Sequence, residues 1–179
     1  MDEFQYEIKV PRDRIAVLIG EKGEKKRELE ENLNVKMYID SEEGDVTLKG
    51  TDAIALFTAR EVIKAIARGF NPDIAKLLLK PDYLLEVINI GEYTTNKNQT
   101  IRLRGRVIGE GGKSRSTIEE LAGVSMSVYG KTVAIIGETE NVTIAKRAVD
   151  SLLTGSPHSS VYFFLEKMRR EMRHRALAS

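Results

Sequence analysis

Two short glycine loops, Ile19-Gly20-Glu21-Lys22-Gly23 and Ile108-Gly109-Glu110-Gly111-Gly112, hold the residue types in this chain best suited to gripping an anion. Glycine has no Cβ, so its backbone can come close to a phosphate and adopt conformations that other residues resist. Each loop follows an apolar stretch and opens a charged helical pattern. A helix start leaves N–H groups unpaired at the positive end of the helix dipole, which favours a bound anion. One G-x-x-G among 14 glycines carries little information. Its repetition carries more. The second loop stands 89 positions after the first, and the same offset pairs Leu18 with Val107 and Val35, Met37 and Ile39 with Val124, Met126 and Val128. Self-similarity over such a span indicates two copies of one small domain.

The elements that must position the loops can be read from hydrophobic periodicity. Tyr6, Ile8 and Val10 alternate as a strand, and Pro11 introduces a short helix with Ile15, Leu18 and Ile19 as its apolar positions. Beyond the first loop, 24–33 is a charged helix anchored by Leu29 and Leu33. A strand through Val35, Met37 and Ile39 follows, then a turn at 40–44 and a second strand at 46–49. Asp52 caps a long helix expected to turn Ile54, Phe57, Ile63 and Ile66 to a core, and Gly69 ends it. The second copy repeats this order, with about nine residues inserted before its first helix, in the segment 91–100. Its final helix buries Val142, Ala145, Val149, Leu152 and Leu153. Ser160 then caps a last helix with Val161, Phe164, Leu165, Met168 and Met172 on one face. The expected organisation is a first domain over 1–70, a helical connector over 71–82, a second domain over 83–155, and a basic amphipathic helix over 156–179.

Composition limits the function classes. The chain has 179 residues, 41% hydrophobic and 31% charged, with a net charge of +1. That balance argues against duplex DNA binding by bulk electrostatics, so a nucleic-acid surface must come from local placement of charge. There is no cysteine, hence no disulfide, thiolate metal site or cysteine nucleophile. His158 and His174 are isolated, so no metal and no cofactor is expected. No apolar run approaches membrane-spanning length, and the opening residues lack the pattern of a secretion signal. A cytoplasmic protein without a membrane partner is expected.

The pattern apolar-Ile-Gly-x-x-Gly within strand-helix-helix-strand-strand-helix resembles the KH domain in its eukaryotic-type (type I) order, present twice. The resemblance implies an α/β fold of the α+β type: two tandem β-α-α-β-β-α units, each a three-stranded antiparallel sheet with helices on one face, plus a C-terminal helix. The second half is more specific. The stretches Gly109-Glu110-Gly111-Gly112-Lys113-Ser114-Arg115-Ser116-Thr117-Ile118-Glu119 and Ile144-Ala145-Lys146-Arg147-Ala148-Val149-Asp150 are similar to the small-subunit ribosome assembly family called Partner of Nob One, with its archaeal counterparts. That resemblance implies binding of single-stranded RNA near the 3′ end of small-subunit ribosomal RNA during maturation, beside the Nob One endonuclease.

The loop chemistry points to the same ligand independently. Each glycine loop is suited to clamp about four nucleotides of a single strand. The bases would then lie in a groove floored by Ile19, Leu29, Val35 and Met37 in one copy, and by Ile108, Ile118, Val124 and Met126 in the other. The RNA-binding residues expected are Ile19, Gly20, Glu21, Lys22, Gly23 and Lys26 in the first copy. In the second they are Arg104, Arg106, Ile108, Gly109, Glu110, Gly111, Gly112, Lys113 and Arg115. Charge ranks the two. Around the second loop Arg102, Arg104, Arg106, Lys113 and Arg115 face Glu110 alone, whereas the first loop's cations are matched by Asp13, Glu21, Glu24 and Glu28. Phosphate affinity follows cation excess, so the second copy is the stronger binder. Arginines at 102, 104 and 106 cannot all share one helix face, so at least one points elsewhere.

Two other classes remain open at this stage. An enzyme is suggested only by Gly112-Lys113-Ser114, which matches the end of a nucleotide-binding loop. That motif needs glycine at 107, where Val107 stands, and a strand running into the loop. A non-enzyme is expected. The alternative is a protein-interaction scaffold whose first copy has lost RNA binding. In that reading the glycines of the first loop only permit a tight turn, the insertion is a mobile loop, and the basic last helix is a solvated face.

Overall fold

The computed structural model describes residues 2–179. Among the described residues six strands and eight helices run in the order β1 (Phe4–Lys9), α1 (Arg12–Ile19), α2 (Glu24–Leu33), β2 (Lys36–Asp40), β3 (Asp45–Gly50), α3 (Ala53–Ala67), α4 (Pro72–Ala75), β4 (Tyr83–Asn89), α5 (Lys97–Ile108), α6 (Lys113–Ala122), β5 (Ser125–Tyr129), β6 (Thr132–Glu138), α7 (Thr139–Leu153) and α8 (His158–Ala178). Short 3-10 turns carry the glycine loops and the segments 76–79 and 90–92. The strands form two antiparallel three-stranded sheets, ordered β1-β3-β2 and β4-β6-β5. The expected β-α-α-β-β-α order therefore occurs twice. The chain divides into two compact units, 1–81 and 82–179. Among the described residues no helix is long and apolar enough to cross a membrane.

In the first unit the strand β3 places Val46 and Leu48 toward the helices, and α3 covers them with Leu56, Ala59, Ile63 and Ile66, all fully buried. Those positions are spaced three and four apart, one helical face. The expected phase of α3 was wrong at its start. Ile54 is 80% exposed and Phe57 51% exposed, because the face set by Leu56 and Ala59 turns both outward. Asp52 does cap this helix, its carboxylate accepting from the amides of Ile54 and Ala55.

The segment expected as a connector folds onto the first unit. Asn71 caps α4, and Pro72, Ala75 and Leu78 are buried. Lys76 donates to the Glu28 carboxylate, which Lys25 also holds at 2.8 Å. These two ammonium donors pull the Glu28 carboxyl down to about 2 from an ordinary value of 4.5. A depressed carboxyl stabilises the fold above its ordinary range, and the contribution is lost as pH falls toward its folded value. Acid titration of the first unit should thus show a loss of stability between about pH 4.5 and about 2. Glu28→Gln should flatten that limb in pH-dependent denaturation, and an unchanged acid limb would contradict the assignment.

In the second unit one core gathers Ile88, Ile90, Val107, Ile118, Val133, Ile135, Val149 and Leu152, and α8 closes it with Val161 and Leu165. Helix α8 starts two residues before the expected Ser160 cap, because Pro157 sits in extended conformation at its entry and fixes the first turn at His158. Phe164, Met168 and Met172 pack partly buried against the same core, as the periodicity predicted.

Candidate nucleic-acid interface

The two glycine loops share one backbone. Gly20 and Gly109 have φ 73° and 75° with ψ 178° and 170°, a region open almost solely to glycine. The first glycine of each loop is there for packing. A Cβ on Gly109 would lie 2.6 Å from both the amide nitrogen and the Cβ of Ser114, and one on Gly20 would lie 2.6 Å from the Cβ of Lys25. Helices α5 and α6, like α1 and α2, abut only because that side chain is missing. This is the tight-turn role weighed against ligand binding, and for these two residues it holds.

The later glycines differ. At Gly111 and Gly112 an added Cβ would meet nothing within 4 Å. Both take positive φ, 60° and 78°, and their outer side is open. No side chain caps the start of α6 or of α2. Gly112 donates to the carbonyl of Gly109 at 3.1 Å and Lys113 to that of Glu110, which curls the loop into a tight turn. The first loop has the same curl, from Gly23 to Gly20 at 3.3 Å. There, however, Lys22 rather than glycine occupies the left-handed position at φ 51°.

The expected side chains separate into groups. Lys113 and Arg115 are exposed beside the second loop, and among the described residues neither makes an ion pair. Glu110 and Lys22 are exposed, and Ile19 and Ile108 are half-buried at the loop entrances. In the first unit Lys26 is held by Glu30 at 3.2 Å and Lys25 by Glu28, so those cations are already neutralised. The structure thus sharpens the charge difference read from the sequence.

Two expectations fail, the first on burial. Leu29, Val35, Met37, Ile118, Val124 and Met126 are buried core residues, not an accessible groove floor. The space between helix and edge strand is bridged as well. Glu30 accepts from the amide of Met37 at 2.8 Å, and Glu119 from that of Met126 at 2.9 Å. A carboxylate therefore satisfies the outward amide of β2 and of β5, in register across the repeat. What stays open is the rim of the second loop with Ile108, Lys113 and Arg115.

Arg106 is the second correction. Its guanidinium donates to the carbonyls of Leu152 at 2.9 Å and Ser156 at 2.5 Å, where α7 ends, so it faces the protein and not a ligand. Arg14 does the same in the first unit, donating to Ile66 at 2.8 Å and Phe70 at 2.7 Å. Each arginine adds a charged donor to carbonyls at and just beyond the C-terminal end of a long helix and complements its dipole. The two stand at non-equivalent positions of the repeat, one helical turn apart, and so the offset of 89 conceals the shared role. Arg106→Ala should destabilise the second unit by about 2 kcal/mol, measured by denaturation, with no specific loss of ligand affinity. Arg102 lies outside on α5 and donates to Gln99 at 2.8 Å.

The insertion is built into the unit. Asn96 caps α5 through the amides of Asn98 and Gln99. Tyr93 packs against the core and donates to Asp150 at 2.5 Å. Burial first, then that hydrogen bond, pushes its phenol up to about 12. A helix, α5, leads into the second loop where a nucleotide-hydrolase motif would need a strand.

Comparison with known proteins agrees with this geometry. Residues 84–170 match the model described as the eukaryotic-type KH domain (type I), in its form for the second domain of PNO1, and residues 5–65 match the KH domain model. A KH domain-containing protein of Methanocaldococcus jannaschii is 50% identical over 170 residues, covering 93% of this chain and 74% of that protein. The RNA-binding protein PNO1 of Oryzias latipes is 32% identical over 138 residues, covering 74% of this chain and 57% of its own length. Among solved structures, a chain of the a/eIF2alpha–aDim2p–rRNA complex from Pyrococcus horikoshii OT3 superposes with a TM-score of 0.89 at 45% identity, covering 94% of this chain and 96% of that one. Fold and site define a tandem type I KH protein. The chain belongs to the PNO1-like family of such proteins, on its archaeal side.

Proposed function

We propose that this chain is a non-catalytic clamp for single-stranded RNA, and that its target is the 3′-end region of small-subunit ribosomal RNA during ribosome maturation. The observation that carries this reading is the second loop. The start of α6, which no side chain caps, sits beside open space at Gly111 and Gly112, flanked by Lys113 and Arg115, which have no ion-pair partner among the described residues. Such a site suits the phosphates of a flexible strand, whose spacing adapts to the curl of the loop. The first loop, where Glu28 and Glu30 engage Lys25 and Lys26 and leave Lys22 as the exposed cation, supplies a weaker contact. The choice of ribosomal RNA is supported by relatives: one is named an RNA-binding protein and another was solved in a complex with rRNA. The family resemblance adds the Nob One endonuclease as a neighbour at the same RNA end.

The test is affinity for a 3′-terminal fragment of small-subunit ribosomal RNA against scrambled single strands, at one fixed salt concentration. The fragment should bind at least about tenfold more tightly, and affinity for all strands should fall as salt rises. Equal affinity for fragment and scramble would remove the ribosomal target. Absence of binding to either would leave the scaffold reading.

A further inference from the structure

We infer that the insertion between β4 and α5 builds a second subsite, which holds one further nucleotide of the RNA strand next to the span gripped by the second loop. This inference rests on the RNA-clamp reading. The segment exists in the second unit alone; in the first, Val10 and Pro11 join β1 directly to α1. It encloses a cleft of about 660 Å³ lined by Gly91, Thr94, Lys97, Ile101, Arg104 and Lys131.

Three features give the cleft a nucleotide's chemistry. The first is charge: Lys97, Arg104 and Lys131 converge on it against Glu92, and among the described residues none of the three cations has an ion-pair partner. The second is an unmet donor, since the Nε of Arg104 is buried and makes no hydrogen bond. That Nε is closed off from the cleft as it stands, so a ligand oxygen or ring nitrogen supplies its missing partner once the Arg104 side chain turns toward the open space. The third is an apolar plate. Ile101 is 62% exposed and faces the same space, offering a surface for the flat side of a base.

Position links the cleft to the loop. Ile101, Arg104 and Ile108 are spaced three and four apart, so they line one face of α5. Arg104 lies about 7.5 Å along the helix axis from Gly109 at the helical rise. A strand leaving the loop along that face passes Ile108 and reaches Arg104 next. Lys131, in the turn between β5 and β6, stands on the opposite wall. In this arrangement the base lies against Ile101, Arg104 donates to a base or ribose oxygen, and Lys97 and Lys131 take the phosphate. The walls are pre-formed, because Tyr93, Asn89 and Asn96 fix the insertion by hydrogen bonds to Asp150 and to local amides.

The test is a length series. RNAs from the 3′-terminal stretch of small-subunit ribosomal RNA, trimmed to about four and about six nucleotides, are titrated against the wild-type chain and against the double variant Ile101→Asp, Lys131→Glu. The wild type should gain about tenfold in affinity with the longer RNA. The variant should keep its affinity for the short RNA and gain less than about twofold. A second variant, Lys97→Ala with Lys131→Ala, should show a smaller gain than the wild type, and thermal unfolding checks that both remain folded. An undiminished gain in the variants overturns the subsite while leaving the clamp intact, and assigns the cleft to something other than RNA. No binding of the wild type to either length overturns both readings.

Discussion

Gly109→Ala is expected to cost the second unit about 3 kcal/mol or more, whereas Gly112→Ala should cost about 1 kcal/mol. At Gly109 two penalties combine. The backbone angles, φ 75° and ψ 170°, exclude a side chain, and the new Cβ would sit 2.6 Å from the Ser114 backbone nitrogen. Relief requires α6 to move away from α5, which disturbs Val107 and Ile118 in the core. Gly112 has positive φ, 78°, but nothing within 4 Å of its missing side chain. Hydrogen exchange of the β6 amides reads the second unit separately. Similar losses at the two glycines would contradict the division between a packing glycine and a ligand-facing one.

Replacing both Glu110 and Gly111 with aspartate should lower affinity for single-stranded RNA by about tenfold or more, while the β6 amides keep their protection. The change places a carboxylate at the mouth of the amide cradle. Gly111 has open space on its outer side, and aspartate is among the residues that tolerate its left-handed φ of 60°. The same pair of substitutions at Glu21 and Lys22 should cost only about two- to threefold. This comparison is stringent because Lys22→Asp alters charge by two, against one for Gly111→Asp. If net charge governed binding, the first-loop variant would lose more. If the open second loop governs binding, it loses less.

The repeat was legible because its residues obey one spacing. The offset of 89 positions located both loops, both helix pairs and the edge strands, and the fold follows it. Periodicity also placed α7 and the apolar face of α8, where apolar residues recur every three or four positions and polar ones fill the rest. It misplaced the start of α3, since Ile54 and Phe57 are hydrophobic yet lie off the face fixed by Leu56, Ala59, Ile63 and Ile66. Spacing alone cannot say which of two apolar stripes faces inward.

At the site, glycine chemistry was readable and side-chain commitments were not. Nothing local to Arg106 or Arg14 tells that each reaches across to the end of a long helix some fifty residues away. The groove-floor expectation failed for a related reason: Met37 and Met126 alternate correctly for a strand, but alternation does not distinguish a floor from a core. One missed feature did carry a signal. Glu30 and Glu119 share the offset of the repeat, as do Met37 and Met126, so the matched pairs stood in the sequence, although Glu31 and Glu120 match equally and only burial separates the two pairs.

The most direct measurement is amide chemical-shift mapping during titration with the 3′-terminal RNA fragment. The largest displacements should fall on the amides of Glu110, Gly111, Gly112 and Lys113, with smaller ones at Glu21 to Gly23. Still signals at 110–113 while the RNA binds elsewhere on the chain would contradict the account.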